Sequence, residues 1–354
     1  MPSLIPIIIT LALSITAINL TLNGNIFGAR DLSDHGKILG IAETADGRAD
    51  ALGSGVKDFN GAVSGTVNGV EKISQAAGMA GVIVQKTLPE NKDAGAPVKM
   101  NEASQIELSC QRGIAIDLKS DKILFEKNAG EESSIASISK LMTALVFLDF
   151  NPGWDKIYKV KPEDMREGGL NHIFPGESVK VKDLFYTSLV ASDNSATIAM
   201  IKSTGMSEAD FVAEMNKKAS LLDLKNTRFK DPLGLLDDNK STALEVARFA
   251  QAALANEEIE KATLTRKYEF LTQEGKQKLI LNTDNLLSAF PQDGVAIRGG
   301  KTGYTEAAGY CFVGEFMNNE GHDIISVILG SGDKEARFNI THNLIGWVFK
   351  SFKW

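Results

Sequence analysis

Polar and apolar positions divide the chain into three stretches with different rhythms. Leu4–Leu22, "LIPIIITLALSITAINLTL", is one apolar run, and no charged side chain occurs before Arg30. About 20 mainly apolar residues suffice to cross a bilayer, so residues 1–30 are expected to form a membrane anchor. A cleavable signal sequence is the competing expectation, although it lacks a basic n-region and a clean small-residue cleavage site. Residues 31–103 change character: Gly, Ala, Ser, Asp and Lys dominate and aromatics almost vanish. Leu52, Val56, Phe59, Val63, Thr66, Val70, Ile73, Ala77, Ala80 and Val84 still fall at alternating steps of four and three. That is a heptad-like seam, weakened by interspersed glycines that each cost about 1 kcal/mol inside a helix. Either a partly helical stalk that self-associates or a flexible spacer fits this stretch. "LPENKDAGAPVK", Leu88 to Lys99, reads as a linker.

From residue 104 to 354 the pattern is that of a compact domain. "RGIAIDL" and "KILFEK" predict two strands joined by the turn "KSD". A mostly helical middle is expected from Ser137 to about Ala255. "GVAIRGGKTGYT", "GYCFVGEF" and "HDIISVILG" then alternate with turn signals, as an antiparallel meander does. Phe338, Leu344, Ile345, Val348 and Phe352 give the last stretch one apolar face, suited to docking on the sheet or, less simply, to a membrane. Strands, then helices, then strands make the fold class α+β.

One segment breaks its own pattern. "SIASISKLMTAL", Ser134–Leu145, opens a helix that is apolar nearly all round, yet Lys140 sits in its first turn. Such a helix is normally buried, and lysine is almost never buried unpaired. Residues three apart share a helix face, so the Ser137 hydroxyl and the Lys140 amine can touch. A serine becomes a useful nucleophile when a nearby base takes its proton. A lysine is such a base only if burial or a second cation lowers its pKa. "GGKTGYT", Gly299–Thr305, offers that cation in Lys301, on a predicted strand between glycines. Gly303 there is expected to clear space for a substrate lying along the strand. "ASDNSA" adds Ser192 and Asn194, a hydroxyl and a carboxamide.

Composition narrows the function. The net charge of −7 leaves no basic surplus for nucleic acid. The histidines His35, His172, His322 and His342 are scattered, and Cys110 and Cys311 lack metal-ligand spacing. No metal or organic cofactor is expected, and a Cys110–Cys311 bridge stays open.

Ser-x-x-Lys, Ser-Asp-Asn and Lys-Thr-Gly, in that order, form the motif set of penicillin-binding proteins and class A β-lactamases. Residues 105–354 resemble a D-alanyl-D-alanine carboxypeptidase of the low-molecular-mass penicillin-binding type. "IASISKLMTALV" resembles that family's active-site helix, and "NTRFKDPLGLLDDNKSTALEVARFA", "NTDNLL" and "KTGYTEAAGYC" also fit. The resemblance implies a five-stranded antiparallel sheet flanked by helices, the β-lactamase/DD-peptidase fold. It implies Ser137 as acylated nucleophile, Lys140 as its base and Ser192 as a proton relay to the leaving amine. Asn194 would hold the substrate's peptide amide. Lys301, Thr302 and Arg337 would engage its terminal carboxylate. The backbone N–H groups of Ser137 and Tyr304 would receive the oxyanion.

The implied partners are peptidoglycan stem peptides and, as covalent inhibitors, β-lactams. The implied location is the outer face of the membrane in a bacterial envelope. Departures from the family pattern include Ser139 for Thr, Asp193 for Gly, Ser195 for Asp and Tyr304 for His; they touch rate and pH optimum rather than chemistry. Replacing Asp193 by Asn is accordingly expected to do little. The β-rich C-terminal domain of several carboxypeptidases is not expected after Arg337, and some members without it cut cross-links as endopeptidases. A class A-like β-lactamase would need a deacylating glutamate that "FKDPLGLLDDNKS" does not offer. A penicillin sensor signalling along the 31–103 stretch is the non-enzymatic alternative.

Overall fold

The computed structural model describes residues 95–102 and 105–354. The anchor expected at Leu4–Leu22 and the heptad-like seam lie outside the described residues. Among the described residues, no helix is long and apolar enough to cross a membrane.

The apolar strand patterns become one antiparallel sheet of β1 (Cys110–Asp117), β2 (Ile123–Lys127), β3 (Val295–Thr305), β4 (Gly309–Asn318) and β5 (Asp323–Ser331). The spatial order is β3-β4-β5-β1-β2, so β3 is an edge strand. These strands carry apolar residues on both faces because both faces are covered. Ile114, Ile116, Val313, Ile325 and Val327 join the helical core on one side. Ala115, Phe312, Phe316, Ile324 and Ile328 join the other, beneath the C-terminal helix. The period of two sends alternate side chains to opposite layers, and the result is a helix–sheet–helix sandwich.

Helices α1 (Ser139–Asp149), α2 (Val181–Val190), α3 (Asn194–Ser203), α4 (Glu208–Leu221), α5 (Ala243–Leu254) and α6 (Glu257–Leu264) build the larger layer. A single turn, α7 (Leu286–Ala289), precedes β3, and α8 (Ala336–Ser351) covers the second face. Helices α3, α4, α5 and α6 carry side-chain caps: Asp193, Ser207, Thr242 and Asn256 each accept from a backbone N–H of the first turn. Val98–Lys99 pairs with Phe352–Lys353, which ties the start of the described chain to its end.

Two expectations need correction. The middle of the chain is not continuously helical, because residues 150–180 and 222–242 are largely irregular. Pro152, Pro162 and Pro175 interrupt the first, and Gly153, Gly168, Gly169 and Gly176 adopt positive φ there. Each irregular segment contributes residues to the site described next. Cys110 and Cys311 are both free and buried. They lie on β1 and β4, with β5 between them, so two strand spacings of roughly 4.8 Å exceed the reach of a disulfide. Burial pushes the Cys311 thiol up to about 11, which makes it inert.

Candidate active site

Three elements converge on one cleft: the turn opening α1, the residues preceding α3, and strand β3. Ala136–Ile138 form a 3-10 turn ahead of α1, and every residue from Ser134 to Ala144 is buried except Ser137. Ala136 holds φ at +48° and Ser192 at +59°, a conformation non-glycine residues adopt at some cost and often at functional sites. Ser137 and Ser192 are both half-buried.

Lys140 is fully buried. Its Nζ lies 2.9 Å from Ser137 Oγ, 2.7 Å from Asn194 Oδ1 and 2.9 Å from Leu233 O. Asn194 Nδ2 donates to Glu167 O and Gly168 O at 2.9 and 2.8 Å, which fixes the amide so that Oδ1 faces the lysine. A neutral amine has two N–H donors and one lone pair. The two carbonyl oxygens can only accept, so they take both N–H groups, and the lone pair faces Ser137. In that state the serine hydroxyl donates to Nζ, the arrangement from which its proton can be removed.

Burial lowers the Lys140 pKa to about 7, against the pull of Asp231 and Asp193, whose negative charges raise it. The sequence assigned part of this depression to Lys301. Desolvation is the largest cause, and the two lysines repel each other, so each disfavours the charge of the other. Lys301 is also buried, and it is pushed well below the ordinary lysine value by burial first, then by Lys140 and Arg337. Its Nζ donates to Ser192 Oγ at 2.9 Å and to Thr302 O at 3.0 Å. Thr302 Oγ1 shares a 2.7 Å hydrogen bond with Thr283 Oγ1.

Arg337, from α8, donates through Nη1 to Gly303 O at 3.1 Å. Tyr304 is exposed and stacks on Tyr310, its cross-strand neighbour, at 4.2 Å between ring centres.

Two motif residues make close contacts within the protein itself. A Cβ on Gly303 would lie 3.0 Å from Ile135 O, 3.1 Å from Ala136 Cβ and 3.2 Å from Ile138 N. The glycine therefore lets β3 press against the turn that carries Ser137. Asn194, expected to hold a substrate amide, spends its own amide on Lys140 and the 167–168 backbone. The neighbouring side chains act alike. Asp193 accepts from His172 N at 2.6 Å, and Ser195 Oγ accepts from Arg166 N at 2.9 Å and donates to Asn171 Oδ1 at 2.8 Å. The motif thus straps residues 166–172 to the cleft.

The sequence also left out the segment that closes the site over Lys140. Asp231 accepts from the N–H groups of Leu233, Gly234 and Leu236 at 2.6, 2.7 and 2.6 Å. This curls "DPLGLL" so that Leu233 O meets Lys140. Gly234, at φ +82°, approaches so closely that a Cβ would sit 1.9 Å from Ala136 O. Asn239 completes the join, donating to Ser139 Oγ and Asp231 O and accepting from Lys230 N and Asp231 N. The signal was present in the Asp-Pro-x-Gly string, which favours a turn with an aspartate accepting its own downstream N–H groups.

Comparison with known proteins agrees with this geometry. Residues 99–333 match the family described as D-alanyl-D-alanine carboxypeptidase. The chain is 32% identical over 256 residues to the Bacillus subtilis D-alanyl-D-alanine carboxypeptidase DacF, covering 71% of itself and 64% of that protein. It therefore spans just under two thirds of that relative's length. It is 29% identical to a D-alanyl-D-alanine endopeptidase of Escherichia coli, covering 70% of itself and 79% of the relative. The crystal structure of the Streptomyces K15 DD-transpeptidase superposes with a TM-score of 0.65 at 25% identity, over 70% of this chain and 99% of that one. A serine facing a buried amine, on a sheet of this order and with relatives of these kinds, places the chain in the D-alanyl-D-alanine carboxypeptidase family.

Proposed function

We propose that the protein is a penicillin-sensitive serine D,D-carboxypeptidase that removes the terminal D-alanine of peptidoglycan stem peptides through a Ser137 acyl-enzyme. The observation that carries this reading is the Lys140 network, in which two carbonyl acceptors turn the amine's lone pair toward Ser137. Lys140 takes the Ser137 proton as Oγ attacks the carbonyl of the penultimate D-alanine. The oxyanion rests on the N–H groups of Ser137 and Tyr304, where one such donor is typically worth about 10²–10³ in rate. Ser192, bonded to Lys301, passes a proton to the departing amine. Water then cleaves the ester and restores the free hydroxyl.

Lys301, Thr302 and Arg337 form the carboxylate end of the site. An incoming carboxylate supplies a negative charge that Lys301 lacks, so binding draws a proton onto Lys301 and leaves Lys140 as the neutral partner. The substrate lies along the free edge of β3, as extended peptides do on an open sheet edge. The envelope is the place of this chemistry, with residues 4–22 as an anchor that keeps the domain on the outer face and residues 31–103 as a spacer or self-associating stalk.

Cleavage of cross-links is the second reading, supported by the 79% coverage of the E. coli endopeptidase. It uses the same residues and differs only in the group that leaves. A fluorescent penicillin should label the protein covalently, and Ser137→Ala should abolish the label. Label persisting in that variant overturns the nucleophile. Product analysis with pentapeptide and cross-linked muropeptides then separates the two readings by whether free D-alanine or monomeric peptides accumulate.

A further inference from the structure

A short segment beside the Lys-Thr-Gly strand carries a hydroxyl with no part in the chemistry so far. Residues 282–284 join strand Gln277–Leu281 to α7, and their polar groups pin them on three sides. Asn282 N donates to Arg266 O at 3.0 Å. Asn282 Nδ2 donates to Thr263 O and Thr265 O, both at 2.9 Å, at the end of α6. Its Oδ1 accepts from Asp284 N at 2.9 Å, and Asp284 Oδ1 accepts from Leu286 N at 2.8 Å. Thr283 N donates to Val190 O at 3.1 Å, two residues before Ser192. This brace holds the half-buried Thr283 against β3, where its hydroxyl lies 2.7 Å from that of the buried Thr302.

We propose, resting on the carboxylate role given to Thr302 above, that Thr283 is a positioning residue: it donates to Thr302 and so fixes the Thr302 hydroxyl as a donor to the substrate's terminal carboxylate.

Donor counting assigns the direction. A hydroxyl has one O–H to give and two lone pairs to receive. In the unliganded pair either threonine can be the donor. A carboxylate only accepts, so once it binds, the Thr302 O–H must point at it. The contact between the threonines then survives only with Thr283 donating and Thr302 accepting. Among the described residues, no acceptor other than Thr302 Oγ1 takes the Thr283 proton, so that order is open. A hydroxyl that accepts one hydrogen bond while giving another is polarised, which strengthens the bond it gives. A ligand ending in an amide makes no such demand, because its NH₂ group can donate to Thr302 and either order of the pair serves. Thr283 is therefore expected to act on the choice between a free acid and its amide rather than on the reacting bond.

Thr283→Val removes the hydroxyl and keeps a branched side chain, while Thr283→Ser keeps the hydroxyl. Neither touches the backbone bond to Val190. The measurement is kcat/KM for a peptide ending in D-Ala-D-Ala and for its C-terminal amide, read as the ratio of the two. A general disturbance of the fold lowers both values and leaves the ratio unchanged. In Thr283→Val the preference for the free acid should fall about three- to tenfold, the scale of one hydrogen bond. Thr283→Ser should retain it. Thr283→Val added to Thr302→Val should lower the ratio no further, since the two residues act through one hydroxyl.

An unchanged ratio in Thr283→Val, or a further fall when it is added to Thr302→Val, would overturn the proposal and leave Thr283 a packing role. A wild-type protein without preference for the free acid would instead sink the reading of the carboxylate end itself, so the two failures are told apart.

Discussion

Lys140 and Lys301 are the same side chain in two buried pockets, and their surroundings differ in kind. Both lose charge to desolvation. Lys140 has three partners, two of them carbonyl oxygens that only accept, and sits in the field of two carboxylates, Asp231 and Asp193. Lys301 has two partners, Ser192 Oγ and Thr302 O, and sits in the field of two cations with one acid against them. The first pocket is saturated and leaves the amine a single exchangeable partner, the Ser137 hydroxyl. The second is short of acceptors and of negative charge, which suits it to receive an anion. Burial alone does not distinguish the two lysines; the number of acceptors and the sign of the neighbours do.

The sharpest way to break this comparison is to remove the saturated amine. Lys140→Ala should lower the acylation rate by about 10²–10⁴, the usual range for loss of a general base, and Lys140→Arg should not rescue it. In the wild-type protein the acylation rate should rise with pH up to about 7, where Lys140 loses its proton, and level off above. Stability carries the same signature. The folded-state pKa of Lys140 lies below its unfolded value, so between about 7 and 10.5 the unfolded chain binds more protons and stability rises with pH. Denaturant melts across that window should show a shallower rise in Lys140→Ala; an unchanged slope would mean that the amine is not held dry.

The two pockets also divide what could be read in advance. The strands themselves and the late Lys-Thr-Gly strand follow from period, and the serine–lysine contact from local spacing, because residues three apart on a helix meet regardless of the rest of the fold. The acceptors of Lys140 come from Asn194 and Leu233, and no periodicity in the chain links those positions to α1. Gly303 shows the same limit: its place between predicted strand residues says nothing of the close packing of β3 on Ile135–Ile138. The positive φ of Ala136 and Ser192 is equally a product of tertiary constraint, since nothing in either residue type favours it.

Gly234 tests the part that was hidden. A methyl group there would have to occupy the space of the Ala136 carbonyl, at a φ that alanine disfavours. Gly234→Ala should therefore shift the turn that carries Ser137. Displacement of a reacting group by about 1 Å can cost about 10² in rate, and that is the expected loss in acylation. A strained left-handed residue adds on the order of 1–3 kcal/mol of destabilisation. Stopped-flow acylation and thermal melts measure the two together; wild-type values for both would mean that the loop and the turn move apart freely.

The smallest expected effect concerns Asp193, where the residue pattern suggested that a change to Asn would be almost silent. The carboxylate accepts from His172 N at 2.6 Å and from Ala196 N at 2.8 Å, and lies 3.1 Å from His172 Nδ1. An amide has one oxygen, so Asp193→Asn turns an NH₂ group toward one of those backbone donors. Leaving a buried donor unmatched costs about 1–3 kcal/mol, which denaturant unfolding should register. Activity is pulled two ways. The strap at residues 166–172 loosens and Asn194 with it, so the plateau acylation rate should fall by less than about tenfold. The same change removes a negative charge that raises Lys140, so the acid limb of the rate profile should move to lower pH. A fall in stability with the acid limb unmoved would show that Asp193 acts on the strap alone and that Asp231 carries the field at Lys140.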